Sequence, residues 1–174
     1  LDSETCDVFG GVFAGEDTAC ADDPCGGLAG ASDECEGANA AIIGANPFDT
    51  TILTPSTPEP DDTQCPGTYL DWGGSNDGWF SFTPTSTASH RFTTCDAAGY
   101  DTSMVLYEGS CDNQVTCNGD SSGETGCQIY YSSLDYACTA GSTYYVRLGG
   151  YAAAYGPGTL TIIVDDPNET AACC

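Results

Sequence analysis

Residues 99–150 read GYDTSMVLYEGSCDNQVTCNGDSSGETGCQIYYSSLDYACTAGSTYYVRLGG, and their pattern decides the fold. Three apolar-aromatic runs, residues 104–107, 129–136 and 144–148, are separated by turns dense in Gly, Ser, Asn, Asp and Cys. Short runs rich in Val, Tyr and Ile and bounded by turn residues predict strands rather than helices. The stretch contains no His, no Lys and no nucleophile beside a base. It reads as a scaffold carrying acidic loops.

Working outward, Asn76-Asp77-Gly78 is a turn signal, and Trp79-Phe80-Ser81-Phe82-Thr83 follows it as a strand. Successive strand residues point to opposite faces, so Trp79 is expected on one face and Phe80 and Phe82 share the other. Residues 90–94 and 158–164 read as two further strands. Upstream, residues 40–43 and 50–53 are expected as short strands around a turn at Asn46-Pro47. The Pro-, Thr- and Asp-rich segment after them is a long surface loop whose hydroxyls could carry O-glycans. No helical period persists for three turns. Eight or nine short strands with turns about every ten residues predict an all-β sandwich.

Composition sets the surroundings. The 174 residues suit one domain and carry 26 acidic side chains against two arginines and one histidine, a net charge of -24. That field repels nucleic acid and anionic membrane, so neither is an expected partner, and no run is apolar enough to insert into a bilayer. Leu, Ile, Val and Phe make up only about 15% of the chain, a fraction that with such charge ordinarily signals disorder. Ten Tyr and two Trp supply packing surface instead, and twelve Cys can staple what the core holds weakly. Disulfides in that number persist in oxidising compartments, so the protein is expected outside the cell or on its surface. With no signal peptide in the sequence, Leu1 is expected to begin a processed chain.

Three segments are expected: a Cys- and Gly-rich arm over residues 1–31, a sandwich domain over 32–165 and an acidic tail over 166–174. The succession DGWFSFTP, a strand ending in TTC, YDTSMVLYEGSC, TCNGD, AGSTYYVRLGGY and GTLTI resembles the cysteine-bearing variants of the bacterial pre-peptidase C-terminal domain. Ser32-Asp33-Glu34-Cys35 resembles the Asn-Asp-rich opening of that domain. The resemblance spans roughly residues 32–165. It implies a jelly-roll-like antiparallel β-sandwich that is not itself an enzyme. Members accompany secreted proteases and surface proteins, and some bind calcium and collagen-like or polysaccharide material. Ser32 stands where the family has Asn, and Gly119 where it has an Asp.

Calcium needs six to eight hard oxygen donors from several loops. Asp33, Glu34 and Glu36 cluster at the start of the domain, and Asp101, Asn118 and Asp120 sit on loops of the body; these six are the candidate Ca²⁺ ligands. One His and no recurring Cys-x-x-Cys argue against zinc. Spacing leaves disulfide connectivity open, with Cys35–Cys65, Cys95–Cys138 and Cys111–Cys117 as plausible pairs. Cys6, Cys20, Cys25, Cys127, Cys173 and Cys174 remain. His90 and Arg147 lie in strands and read as structural, Arg147 in an ion pair. Tyr130, Tyr131, Tyr136, Tyr144, Tyr145, Tyr151 and Tyr155 could line a sugar-stacking or protein-binding face. Asn168-Glu169-Thr170 is a glycosylation sequon.

Two functions remain. The first is a non-catalytic structural or adhesive protein that assembles with itself into a surface filament or layer. Val8, Phe9, Val12 and Phe13 would add a strand to a neighbour's sheet edge, and Cys173 and Cys174 would lock the ends. The second is a calcium-dependent module of a secreted enzyme that binds polysaccharide or protein.

Overall fold

The computed structural model describes residues 30–95, 98–121 and 127–165. The expected self-association residues Val8, Phe9, Val12, Phe13, Cys173 and Cys174 lie outside the described residues, as does the sequon at Asn168.

The described residues form nine strands in two sheets. The strands are β1 (Asn39–Ala40), β2 (Gly44–Asp49), β3 (Gly78–Phe82), β4 (Ala88–Thr93), β5 (Thr102–Glu108), β6 (Gln114–Asn118), β7 (Ser133–Cys138), β8 (Tyr144–Gly150) and β9 (Pro157–Asp165). One sheet has the order β1-β3-β8-β5-β6 and the other β2-β9-β4-β7. Every pairing is antiparallel except the two-residue contact of β1 with β3, which is parallel. The chain is an all-β sandwich, as its pattern predicts.

Alternation along the strands builds two cores. Phe80, Phe82, Met104, Leu106, Tyr144, Val146 and Leu148 face the other sheet and meet Phe48, Phe92, Leu134, Leu160 and Ile162 there. Each such fully buried side chain contributes about 1.5–3 kcal/mol relative to exposure. The residues in the opposite phase, Trp79, Val105, Tyr107 and Cys117, form a second core on the outer face of the five-stranded sheet. It is covered by the long loop, which contributes Cys65, Leu70 and Trp72. β5 is therefore buried on both faces, with only Glu108 partly open. Gly149 makes the cover fit, because a Cβ there would lie 2.6 Å from the Trp72 ring.

Arg147 belongs to this second face, opposite Trp79 on β3 and Val105 on β5. Its guanidinium is stacked between Trp72 and Trp79, 4.9 and 5.0 Å from the ring centres. A charge buried so deeply needs a partner, and Asp77 supplies it at 2.8 Å. Arg147 also donates to the carbonyls of Ser56 and Pro58. Asp77 further accepts from Ser56 N, Ser56 Oγ and Trp72 Nε1. The loop is thus pinned to the sheet through polar groups as well as apolar ones.

The disulfides correct the expected pairing. Cys35 joins Cys111, Cys65 joins Cys117 and Cys95 joins Cys127, with Cα–Cα separations of 6.1, 5.7 and 5.2 Å. Cys111 lies in the β5–β6 turn and Cys117 three residues into β6, too far along a strand rising about 3.3 Å per residue for them to meet. Cys138 faces Ala88 at one end of the β4–β7 ladder, whereas Cys95 lies beyond Thr93 at the other. It remains a buried free thiol in the sandwich core, and burial, aided by the charge of Glu108, pushes it up to about 12.

Two strand boundaries also differ. Asn46-Pro47 lies inside β2 rather than in a turn. β2 is an outer strand, where a residue without an N–H is tolerated. The Asn46 side chain, 1% exposed, bonds Ile42 N and the carbonyls of Ile42, Gly44 and Leu160. Residues 50–53 form a turn closed by Leu53 N to Thr50 O, not a strand. His90 is buried, edge-on to Phe82.

Candidate functional site: a tyrosine-rimmed carboxylate cavity

Four loops converge where β5 begins and β6 and β8 end. Asp101 immediately precedes β5, and its carbonyl accepts from Tyr151 N. Asp120 follows β6 and donates its N–H to Thr68 O. Ala152 N donates to Asp71 O, tying the turn at residues 151–153 to the long loop. Ser132, fully buried, links the rest. Its N–H donates to Thr94 Oγ1 and Thr102 Oγ1, and its hydroxyl lies 2.7 Å from Thr102 O and 3.0 Å from Gly119 O. Cys95–Cys127 fastens the segment that carries Gln128, Ile129 and Tyr130.

The backbone is forced at these crossings. Tyr69, Ala152 and Ala153 all have left-handed conformations, with φ of 56°, 48° and 66°. Such residues persist only where their surroundings over-determine them. Gly119 lets the long loop pass, since a Cβ there would strike Thr68 O and lie 2.8 Å from Leu70 N.

The convergence leaves a cavity of about 360 Å³ lined by Tyr69, Asp101, Asp120, Ile129, Tyr130 and Tyr151. A neighbouring cavity of about 510 Å³ shares Asp101 and Tyr130 and extends past Tyr100, Gln128 and Tyr131. Tyr69, Ile129, Tyr130 and Tyr151 are 70, 54, 55 and 41% exposed. Large aromatic faces are normally spent on packing; here they stand open around two carboxyl groups. Asp101 Oδ1 is buried and has no hydrogen-bond partner among the described residues. Burial, then the charge of Asp120, raises the Asp101 carboxyl to about 6. Burial raises Asp120 as well.

The six expected calcium ligands do not converge. Asp101 and Asp120 meet at this cavity. Asn118 is engaged structurally, accepting from Ser133 N and donating to Asp120 O. Asp33 accepts from Thr54 N and Thr54 Oγ1. Glu34 and Glu36 line a different cavity of about 500 Å³, above Arg147, Trp79 and Tyr107. Among the described residues, no three His, Cys, Asp or Glu are grouped to hold a metal. In that other cavity the aromatic residues are committed to the second core, Trp79 being 3% and Tyr107 4% exposed.

Of the seven candidate tyrosines, Tyr130, Tyr151 and Tyr155 are exposed, Tyr144 is fully buried, and Tyr131 is half-buried with its hydroxyl donating to Ala98 O. Sequence reasoning missed Tyr69 and Ile129 as cavity residues. The signal for Tyr69 was an aromatic residue isolated within a polar loop. Ile129 read as the start of a strand, but residues 129–131 turn before β7 begins at Ser133.

No protein-family model matches the chain, and no curated protein does. Solved structures similar to it include the pre-peptidase C-terminal domain of collagenase from Bacillus anthracis, at 14% identity and a TM-score of 0.37, covering 53% of this chain and 81% of that one. A family 35 carbohydrate binding module from an environmental isolate is 10% identical with a TM-score of 0.34, covering 74% and 85%. A β-glucosidase from Kluyveromyces marxianus, in complex with glucose, is 16% identical with a TM-score of 0.33; the likeness covers 52% of this chain and 10% of that one. At these scores the overlaps are loose, and the sandwich assignment stands on the sheet pairing itself.

Proposed function

We propose that this chain is a non-catalytic extracellular module that binds polysaccharide at the tyrosine-rimmed cavity. The observation that carries the reading is the placing of three open tyrosine rings and one Ile around Asp101 and Asp120. Sugar rings lie on aromatic faces through their C–H surfaces, and carboxylates accept from their hydroxyls. Three disulfides that pin the long loop, the β5–β6 turn and the 127–131 segment are in keeping with an oxidising location. The test is a glycan array followed by calorimetry on the wild type, Tyr130→Ala and Asp120→Asn. Both variants are expected to keep the wild-type melting temperature within a few degrees and to lose most of the binding. A wild type that retains no glycan defeats the reading.

Self-association into a filament or layer is the second reading, supported by strand β7, which among the described residues has a neighbour on one side only. An open strand edge is a template for another chain. Size-exclusion chromatography of the whole chain and of a chain lacking residues 1–28 decides it: two monomers would end the idea.

A further inference from the structure

We infer that the ligand at this cavity carries an organic ammonium group, so that the polysaccharide held there is an amino sugar polymer rather than a neutral or acidic one. The inference rests on the polysaccharide reading and adds the charge of what is bound.

Three properties of the cavity point the same way. First, its two carboxyl groups have no basic side chain beside them: the chain's basic side chains are Arg91, His90 and Arg147. Arg91 pairs with Asp135 on the other sheet, His90 sits in the sandwich, and Arg147 is sealed under the long loop. Second, Asp101 keeps one buried oxygen without a partner among the described residues, beside a second carboxylate. A sugar hydroxyl would meet the hydrogen-bonding need, but only a positive charge also offsets the repulsion between the two carboxylates. Third, the walls are Tyr69, Tyr130, Tyr151 and Ile129. Such walls offer ring faces rather than the six to eight oxygens a calcium ion requires. Tyrosine faces attract alkylammonium groups through the ring quadrupole, most strongly where water is excluded. Carboxylates with aromatic walls therefore select an organic cation over a metal ion. The overall charge of -24 acts in the same direction, repelling uronate and sulfate polymers before they arrive.

An acidic protein attracts any polycation, so the test must separate the cavity from the general field. The probes are an N-trimethylated glucosamine oligomer, whose charge does not vary with pH, its N-acetylated counterpart and free choline, with affinities measured by calorimetry at neutral pH and two salt concentrations. The trimethylated oligomer is expected to bind at least about tenfold more tightly than the acetylated one. Tyr130→Leu and Tyr151→Leu, which leave the net charge unchanged, should remove most of that preference. Asp101→Asn combined with Asp120→Asn should abolish it, whereas Glu59→Gln with Asp112→Asn, an equal charge change outside the cavity, should not.

Equal binding of the two oligomers overturns the ammonium inference and leaves the polysaccharide reading standing. Choline binding that the tyrosine variants weaken, with neither oligomer bound, supports the ammonium site and defeats the polysaccharide reading. A preference that survives the tyrosine variants but vanishes with salt assigns it to the surface field and overturns the inference. So does competition in which calcium displaces choline and a chelator restores it.

Discussion

Asp77 and Asp101 are both acidic residues packed beneath loops of one sandwich, yet their surroundings put them to opposite uses. Asp77 is fully buried, and both of its oxygens are occupied by Arg147, Ser56 and the Trp72 indole. Asp101 has no basic side chain beside it, faces the charge of Asp120 and keeps one oxygen without a partner among the described residues. A fully buried charge with all its partners holds structure together; a half-buried carboxyl with an unpartnered oxygen is a cost that a ligand can remove. The region around Asp77 is the fastening of the long loop, and the region around Asp101 is the opening that this fastening shapes.

The contrast can be broken most forcefully from the Asp77 side. Arg147→Ala leaves Asp77 buried without its counter-charge and should cost about 3–5 kcal/mol, measured by urea denaturation. Asp101→Asn in the same assay should cost nothing. Equal losses would show that the two carboxylates do the same work.

The disulfides give the next largest effect. Removing Cys65–Cys117 by paired Ala substitutions should cost about 2–4 kcal/mol while leaving ligand affinity close to wild type below the new melting transition. Removing Cys95–Cys127 should instead weaken binding where the protein is still folded, because that bridge anchors the segment bearing Tyr130. Binding that is indifferent to both would detach the cavity from its loops.

Gly119→Ala tests the crossing itself. The added methyl must displace the backbone on either side of Tyr69, for about 1–3 kcal/mol and a measurable loss of affinity.

The smallest effect is in pH. The folded Asp101 carboxyl is raised from 3.8 to about 6, so the folded state holds its proton more tightly than the unfolded one. Its contribution to stability is complete below pH 3.8 and is lost as pH rises through about 6. Melting temperatures of ligand-free wild type and Asp101→Asn, compared across that range, should diverge as pH rises, with the variant more stable at neutral pH. A constant difference would mean that Asp101 is not held in this way.

Much of the fold was legible because strand periodicity is local. Trp79 out of phase with Phe80 and Phe82 put them on opposite faces of the strand, and the structure places Trp79 in one core and both Phe residues in the other. Arg147 alternating among Tyr144, Val146 and Leu148 implied a structural ion pair, and it makes one. Pro47 misled because a proline reads as a turn unless the strand is known to be an outer one, and that is a property of the sheet. The cavity was half visible: Asp101, Asp120, Tyr130 and Tyr151 stood out by type. Tyr69 did not, because it reaches the cavity only through a left-handed backbone turn and a crossing over Gly119.

By itself the sequence determined the all-β class, the alternation that fills both cores and the acidic, disulfide-bearing character, since these depend on residue type and on neighbours in the chain. Only the tertiary structure decided which cysteines meet, which carboxylates are neutralised and which tyrosines remain open. Those outcomes depend on distances between segments tens of residues apart, such as Cys35 and Cys111 with their sequence separation of 76. Strand periodicity has nothing to say about separations of that length.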